Sequence, residues 1–228
     1  MNVTKAAKCS VWLTFAGVMA IGCSPLSTLG FIFRDDPKVA AKYPLHPKDA
    51  TDKEKSKEAT VLILCDQRDG LPRELAGAYI ELADNMNRQL PEMTKANKEK
   101  IKMVEEKALA NYQKRHPDWR TLEPAQIGKA LKADCVIHVY VASANFYDPN
   151  TAKMMYKGKA NVECKITYLS DGKDPEVRRY SHHFDYKPHR SPDADETSES
   201  LYRQQYLEQL ATELCWYHVE HPKRDTLE

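Results

Sequence analysis

At 228 residues the chain is long enough for one sizeable domain with a leader and a tether. Its 34 basic residues nearly cancel 33 acidic ones, so no global field draws it to nucleic acid. The densest basic cluster (Lys95, Lys98, Lys100, Lys102) carries Glu99, Glu105 and Glu106 within or beside it and no interleaved aromatic residue, the pattern of a solvated face.

The chain opens with Lys5 and Lys8, then an uncharged run over 11–21 that reaches Gly22-Cys23-Ser24. A basic start, a short apolar core and a small-residue exit are the layout of a secretory signal peptide over 1–22. The stretch Met19-Ala20-Ile21-Gly22-Cys23 resembles a lipobox, which implies cleavage before Cys23 and acylation of that residue (palmitate among the chains). Ala20 departs from the family's usual Leu. Ala20 and Gly22 also suit ordinary signal peptidase, cutting the same bond without lipid. The eleven-residue core is too short for a bilayer of roughly 30 Å, whereas the longer uncharged stretch 11–33 would span one as an uncleaved anchor. Pro25, Gly30, Ser24, Ser27 and Thr28 weaken that stretch as a helix. All three readings place the remaining chain outside the cytoplasm, on an envelope or periplasmic surface. Ser24 after the cysteine favours the outer membrane under the lipoprotein sorting rule.

Residues 23–58 read as the lipidated cysteine and a flexible tether. Pro25, Pro37, Pro44 and Pro47 interrupt it, and 51–58 is polar throughout, too poor in apolar area to offset its ordering entropy. Leu29, Phe31, Ile32 and Phe33 are its apolar exception. A single α/β (α+β) domain then fills 59–228. The apolar run 60–65 predicts a strand covered on both faces. After a turn over 66–70, Pro72 suits a first helical turn, and Leu71, Leu75, Tyr79, Leu82, Met86 and Leu90 form one helical stripe that ends near Pro91. Ile101 and Met103 mark a short strand over 100–104. Ala108, Leu109 and Tyr112 are the thin apolar side of a helix over 105–115.

His116-Pro117-Asp118-Trp119-Arg120 breaks that helix. The next begins near Glu123, with Thr121 as cap, Pro124 in the first turn and Ile127, Ala130 and Leu131 inward. A strand over 134–144 sets Cys135, Ile137, Val139 and Val141 on one face. The clean alternation over 156–169 sets Tyr156, Gly158, Ala160, Val162, Cys164, Ile166 and Tyr168 on one face, with Lys157, Lys159, Asn161, Glu163, Lys165 and Thr167 opposite. A turn over 170–175 leads to a strand over 177–186 with Tyr180, Phe184 and Tyr186 inward. A closing helix, capped by Thr197 or Ser198 and running to about His218, is expected to bury Leu201, Leu207, Leu210, Leu214 and Tyr217. The order is β-α-β-α-α-β-β-β-α: one mixed sheet of about five strands, with helices mainly on one face and the other face partly wet.

Cys65, Cys135, Cys164 and Cys215 sit among apolar neighbours at wide spacings. Export permits disulfides between them, but four small core fillers is the simpler account.

The segment Ile127-Gly128-Lys129-Ala130-Leu131-Lys132-Ala133-Asp134-Cys135-Val136-Ile137, a helix feeding through an Ala-Asp turn into an apolar strand, resembles a recurrent phrase of envelope lipoproteins. With the first strand and helix it is similar to the α/β domain of curli-secretion lipoproteins and to the amino-terminal domain of the Tol-system periplasmic protein. His116-Pro117-Asp118-Trp119-Arg120-Thr121-Leu122 with Ile127-Gly128 more closely resembles uncharacterised planctomycete lipoproteins, over roughly residues 59–221. The resemblance implies an envelope module that binds other proteins and carries no catalytic residues.

Little chemistry is encoded locally. Asp66-Gln67-Arg68-Asp69-Gly70 has one glycine where a phosphate cradle needs several close amides, so no nucleotide is expected. There is no Gly-x-Ser-x-Gly elbow and no zinc helix. In His182-His183-Phe184-Asp185, adjacent residues point to opposite faces, which leaves His183 and Asp185 together on the wet one. They are the residues an exported hydrolase or metal-binding protein would use, with His189 nearby. Cys215, His218 and His221 step by threes near a helix end without a shared face for all three. Trp119 and Arg120 are the candidate partner-binding pair, with packing of Trp119 over the sheet edge as the competing reading. The sequence thus reads as a lipid-anchored, non-catalytic envelope protein with no cofactor and no metal. Its expected partners are the membrane and other envelope proteins.

Overall fold

Alternation decides this sheet. In the computed structural model, which describes residues 37–46, 58–170, 173–186 and 197–223, the apolar run becomes β2 (Ala59–Gln67), an interior strand of the sheet. Val61, Ile63 and Cys65 face one core and Leu62 and Leu64 face another, so both faces are covered as expected. Its neighbours β3 (Ile101–Met103) and β4 (Cys135–Tyr147) run parallel to it. β5 (Tyr156–Tyr168) and β6 (Glu176–Asp185) follow as an antiparallel meander, giving the order β3-β2-β4-β5-β6. The register shift between Val141 and Ser143 puts an extra residue in β4, and the one between Asn145 and Tyr147 puts an extra residue in β5. The first moves the inward set of β4 from odd to even positions, so that Ala144 and Phe146 face the main core.

The two long helices, α1 (Ala78–Ala96) and α4 (Glu199–Trp216), cover one face. The short α2 (Glu106–Arg115) and α3 (Pro124–Ala130) cover one end of the other face, over Leu62, Leu64 and Val136. The order of the elements from β2 to α4 matches the sequence reading, with differences inside them; one is Ala130, expected inward and found exposed.

First, α1 starts later, because Arg73–Leu75 forms a 3-10 turn and Gly77 takes a left-handed φ of 72°. Second, Pro91 does not end α1. It lacks the N–H that would bond the Asn87 carbonyl, yet the helix continues to Ala96. Buried Thr94 holds the last turn by donating to the carbonyls of Leu90 and Pro91 at 3.0 Å each. Third, Thr121 closes a 3-10 turn (Trp119–Thr121), and Glu123 takes the N-cap position of α3. Fourth, Leu201 is 47% exposed, and α4 buries Tyr202 and Tyr206 instead. The buried residues 202, 206, 210 and 214 repeat at four, and Leu201 lies one helical step of 100° off that line. Ser198 caps α4, accepting from the Leu201 N–H.

Gly158 marks where α4 meets β5. A Cβ there would collide with the Tyr206 ring. The close approach lets the Tyr202 hydroxyl accept from the Gly158 N–H at 2.6 Å, and the Tyr206 hydroxyl donate to the Lys159 carbonyl at 3.0 Å.

Part of the stretch read as tether packs on the domain. Leu45 is buried, the Tyr43 ring stacks on Tyr180 with centroids 4.8 Å apart, and the Tyr43 N–H donates to the Tyr217 carbonyl at 2.8 Å. The Tyr168 hydroxyl donates to the Pro44 carbonyl at 2.7 Å. All of this lies within the unit Val39–His221. A second, small unit is described only at residues 37–38 and 222–223, where the Lys223 N–H donates to the Pro37 carbonyl. β1 (Lys38–Val39) and β7 (His221–Pro222) form a separate two-stranded sheet. Signal peptide, Cys23 and most of the tether lie outside the described residues. Among the described residues no helix is long and apolar enough to cross a membrane.

Candidate interaction site

β2 ends at the sheet's carboxyl edge with Asp66, and the chain between α2 and α3 returns there. Trp119 opens its 3-10 turn partly buried against the smaller core, alongside Leu122 and Leu131. Its ring packs on the face of β2 and β4 that α2 and α3 cover, not over a sheet edge. Arg120 next to it lies across two aromatic rings, its guanidinium carbon 4.9 Å from the Trp119 centroid and 5.6 Å from that of Tyr79. Its Nε donates to Asp66 Oδ1 at 3.2 Å, and one terminal nitrogen donates to the Tyr79 hydroxyl at 3.0 Å. Asp66 Oδ1 also accepts from the Gln67 N–H at 2.9 Å.

The result is an aromatic–guanidinium platform held by three elements: the end of β2, the first turn of α1 and the 3-10 turn. Arg120 remains 49% exposed in it. Arg120 pairs with Asp66 rather than with its neighbour Asp118, whose carbonyl takes the N–H and hydroxyl of Thr121. Sequence reading missed Asp66 and Tyr79 as the partners of Arg120, because they lie 54 and 41 residues away. No local spacing signals that convergence.

His183 and Asp185 do share the wet face, and each is engaged by a neighbour: His183 Nδ1 with Asn161 Oδ1, and Asp185 with Lys159 Nζ at 3.7 Å. His182 turns into the core, where its Nδ1 meets the Tyr217 hydroxyl at 3.2 Å. Its Nε2 is 3.3 Å from Glu213 Oε2 but out of line for a hydrogen bond.

Cys215 and His218 are both fully buried. His218 Nδ1 donates to the Tyr43 carbonyl at 2.9 Å, which leaves Nε2 to accept from the Tyr180 hydroxyl at 3.2 Å. Burial pushes this imidazole down to about 4, against the opposing pull of the carbonyl. His221 stacks on Trp216 instead. Among the described residues no group of three or more His, Cys, Asp or Glu side chains is placed to hold a metal ion. His189 lies outside them. Cys65, Cys135, Cys164 and Cys215 are free, buried thiols. Burial pushes Cys135, Cys164 and Cys215 up to about 12, far from a reactive thiolate.

No protein-family model matches the chain, and no curated protein matches it. Among solved structures it is similar to the hypothetical protein CT253 from Chlamydia trachomatis (TM-score 0.40, 16% identity, 71% of this chain and 98% of that one). It is also similar to lipoprotein GNA1162 from Neisseria meningitidis (TM-score 0.36, 10% identity, 68% and 97%). A third is the PelC dodecamer from Paraburkholderia phytofirmans (TM-score 0.36, 9% identity, 81% and 99%). Likeness at this level says nothing of activity or partners.

Proposed function

We propose that this chain is a lipid-anchored, non-catalytic protein of the cell envelope, exported and held, by preference, at the outer membrane. Its α/β domain acts as an interaction or assembly module. The observation that carries the reading is the leader: Lys5 and Lys8, an eleven-residue uncharged core, and Gly22-Cys23 at its exit. The resemblance of 116–137 to planctomycete and curli-type envelope lipoproteins supports it. Acylated Cys23 is the anchor, and two or more acyl chains are what make such an anchor stable.

Trp119 and Arg120 are the proposed partner contact. Arginine and tryptophan dominate the energetics of protein interfaces, and here the arginine is already fixed by Asp66 and Tyr79, so little ordering entropy opposes binding. Neither nucleotide nor nucleic acid is among the proposed partners.

Mass measurement of the mature amino terminus tests the anchor, and crosslinking in intact cells tests the contact. An acylated Cys23 is expected, and a retained Met1 contradicts the lipoprotein reading. The Trp119→Ala/Arg120→Ala chain should lose its crosslinked partners, and unchanged capture would show that the contact lies elsewhere.

A further inference from the structure

Strand register sets six polar side chains in two rows on the sheet face that α2 and α3 leave bare. His138 lies opposite Lys165, and Lys165 opposite Arg179. Two residues along each strand, Tyr140 lies opposite Glu163, and Glu163 opposite Ser181. Together they line an open depression of about 420 Å³, a size that holds small ligands. Glu123, the N-cap of α3, ion-pairs with Lys165 at its side.

What distinguishes the array from the rest of this face is its open valences. In the neighbouring row, Asn161 donates to Ser143 Oγ at 2.8 Å and bonds His183, and beyond it Lys159 pairs with Asp185. Within the array, Glu163 and Arg179 have no ion-pair partner within 4.0 Å among the described residues. The hydroxyls of Tyr140 and Ser181 likewise have no hydrogen-bond partner among them.

Glu163 and Arg179 are diagonal neighbours across two strands, a spacing of about 7–8 Å between backbones. A simple anion bound at Arg179 would face the Glu163 carboxylate, and a simple cation bound at Glu163 would face the guanidinium. A ligand carrying both charges meets neither conflict. Burial, reinforced by Lys165 and opposed by Asp66 and Glu123, holds His138 below its ordinary range, so it contributes a neutral ring at pH 7.

We propose that this array binds a zwitterion of amino-acid or short-peptide size, its carboxylate on Arg179 and its ammonium on Glu163, with the Ser181 hydroxyl, which neighbours both, bonding between them and the Tyr140 hydroxyl bonding the ammonium from the far side of Glu163. The proposal is independent of the envelope reading, because it uses neither the leader nor the Trp119–Arg120 platform.

Calorimetric titration of the full-length protein with glycylglycine tests it. Saturable binding of one dipeptide per chain is expected. Amino-terminal acetylation or carboxyl-terminal amidation should each weaken it by about tenfold or more, since each removes one charge contact. Arg179→Gln should weaken binding and remove the sensitivity to amidation, and Glu163→Gln the sensitivity to acetylation. Lys159→Gln, outside the array on the same face, should leave affinity unchanged. Absence of saturable binding, equal binding of the doubly capped dipeptide, or unaltered affinity in both array variants would overturn the proposal.

Discussion

His218 has no free valence: one ring nitrogen holds the Tyr43 carbonyl, and the other takes the Tyr180 hydroxyl. A second ring proton would place a charge in a fully buried site, and that loss of solvation is why its pKa sits at about 4 rather than 6.5. The unfolded chain therefore binds that proton first. Stability from this residue is complete above pH 6.5 and falls as pH drops toward 4, by roughly 3 kcal/mol in total. Denaturant titrations at pH 7 and pH 4.5 should show this loss, and His218→Gln should flatten the difference. An equal pH dependence in both proteins would show that the imidazole is not the source.

Arg120 belongs to the same scale. Replacing it with Ala removes one exposed ion pair and two ring contacts, worth together about 1 kcal/mol. Chemical denaturation should register that small loss. A loss of several kcal/mol would mean the platform is part of the core rather than a surface on it. Gly158→Ala should cost more, about 1–3 kcal/mol, because the added methyl group meets Tyr206. None of these effects is legible in sequence. Each depends on a residue brought in from a distant element, and neither a lone histidine nor a lone glycine announces its future neighbours.

At the scale of elements the chain is far more readable, for a physical reason. An antiparallel strand with one covered face must alternate, so the inward set of β5 from Tyr156 to Tyr168 could be named from period alone. A strand between two helical layers must be apolar where it is covered, and β2 is from Val61 to Cys65. Legibility failed where a local rule met tertiary packing. Pro91 is a helix breaker by rule, but Thr94, Met93 and the Asn97 side chain's 2.6 Å bond to the Glu220 carbonyl anchor the turn beyond it.

Pro91→Ala should restore the missing backbone hydrogen bond and stabilise the protein by about 1–3 kcal/mol. Unchanged or lower stability in a melting experiment would mean that the proline ring makes packing contacts that alanine cannot replace. The Leu201 assignment failed by one helical step, because two tyrosines displaced a leucine from the buried line. Tyrosine fits there since its ring fills the core while its hydroxyl finds a backbone partner on β5.

At the scale of the whole molecule, two sets of groups are held toward solvent on one rigid sheet. The carboxyl edge of β2 carries the Trp119–Arg120 platform, and the bare face of β4, β5 and β6 carries the polar array. The strap from Tyr43 to Leu45 is fixed to the same domain by stacking and hydrogen bonds. The proposed lipid anchor alone says where this sheet works, so the account stands or falls on Cys23. Fractionation of cells producing the native chain and Cys23→Ser is the most direct measurement. The native chain is predicted in the membrane fraction, and the serine variant in the soluble one. Equal retention of both in the membrane fraction would contradict the lipid anchor.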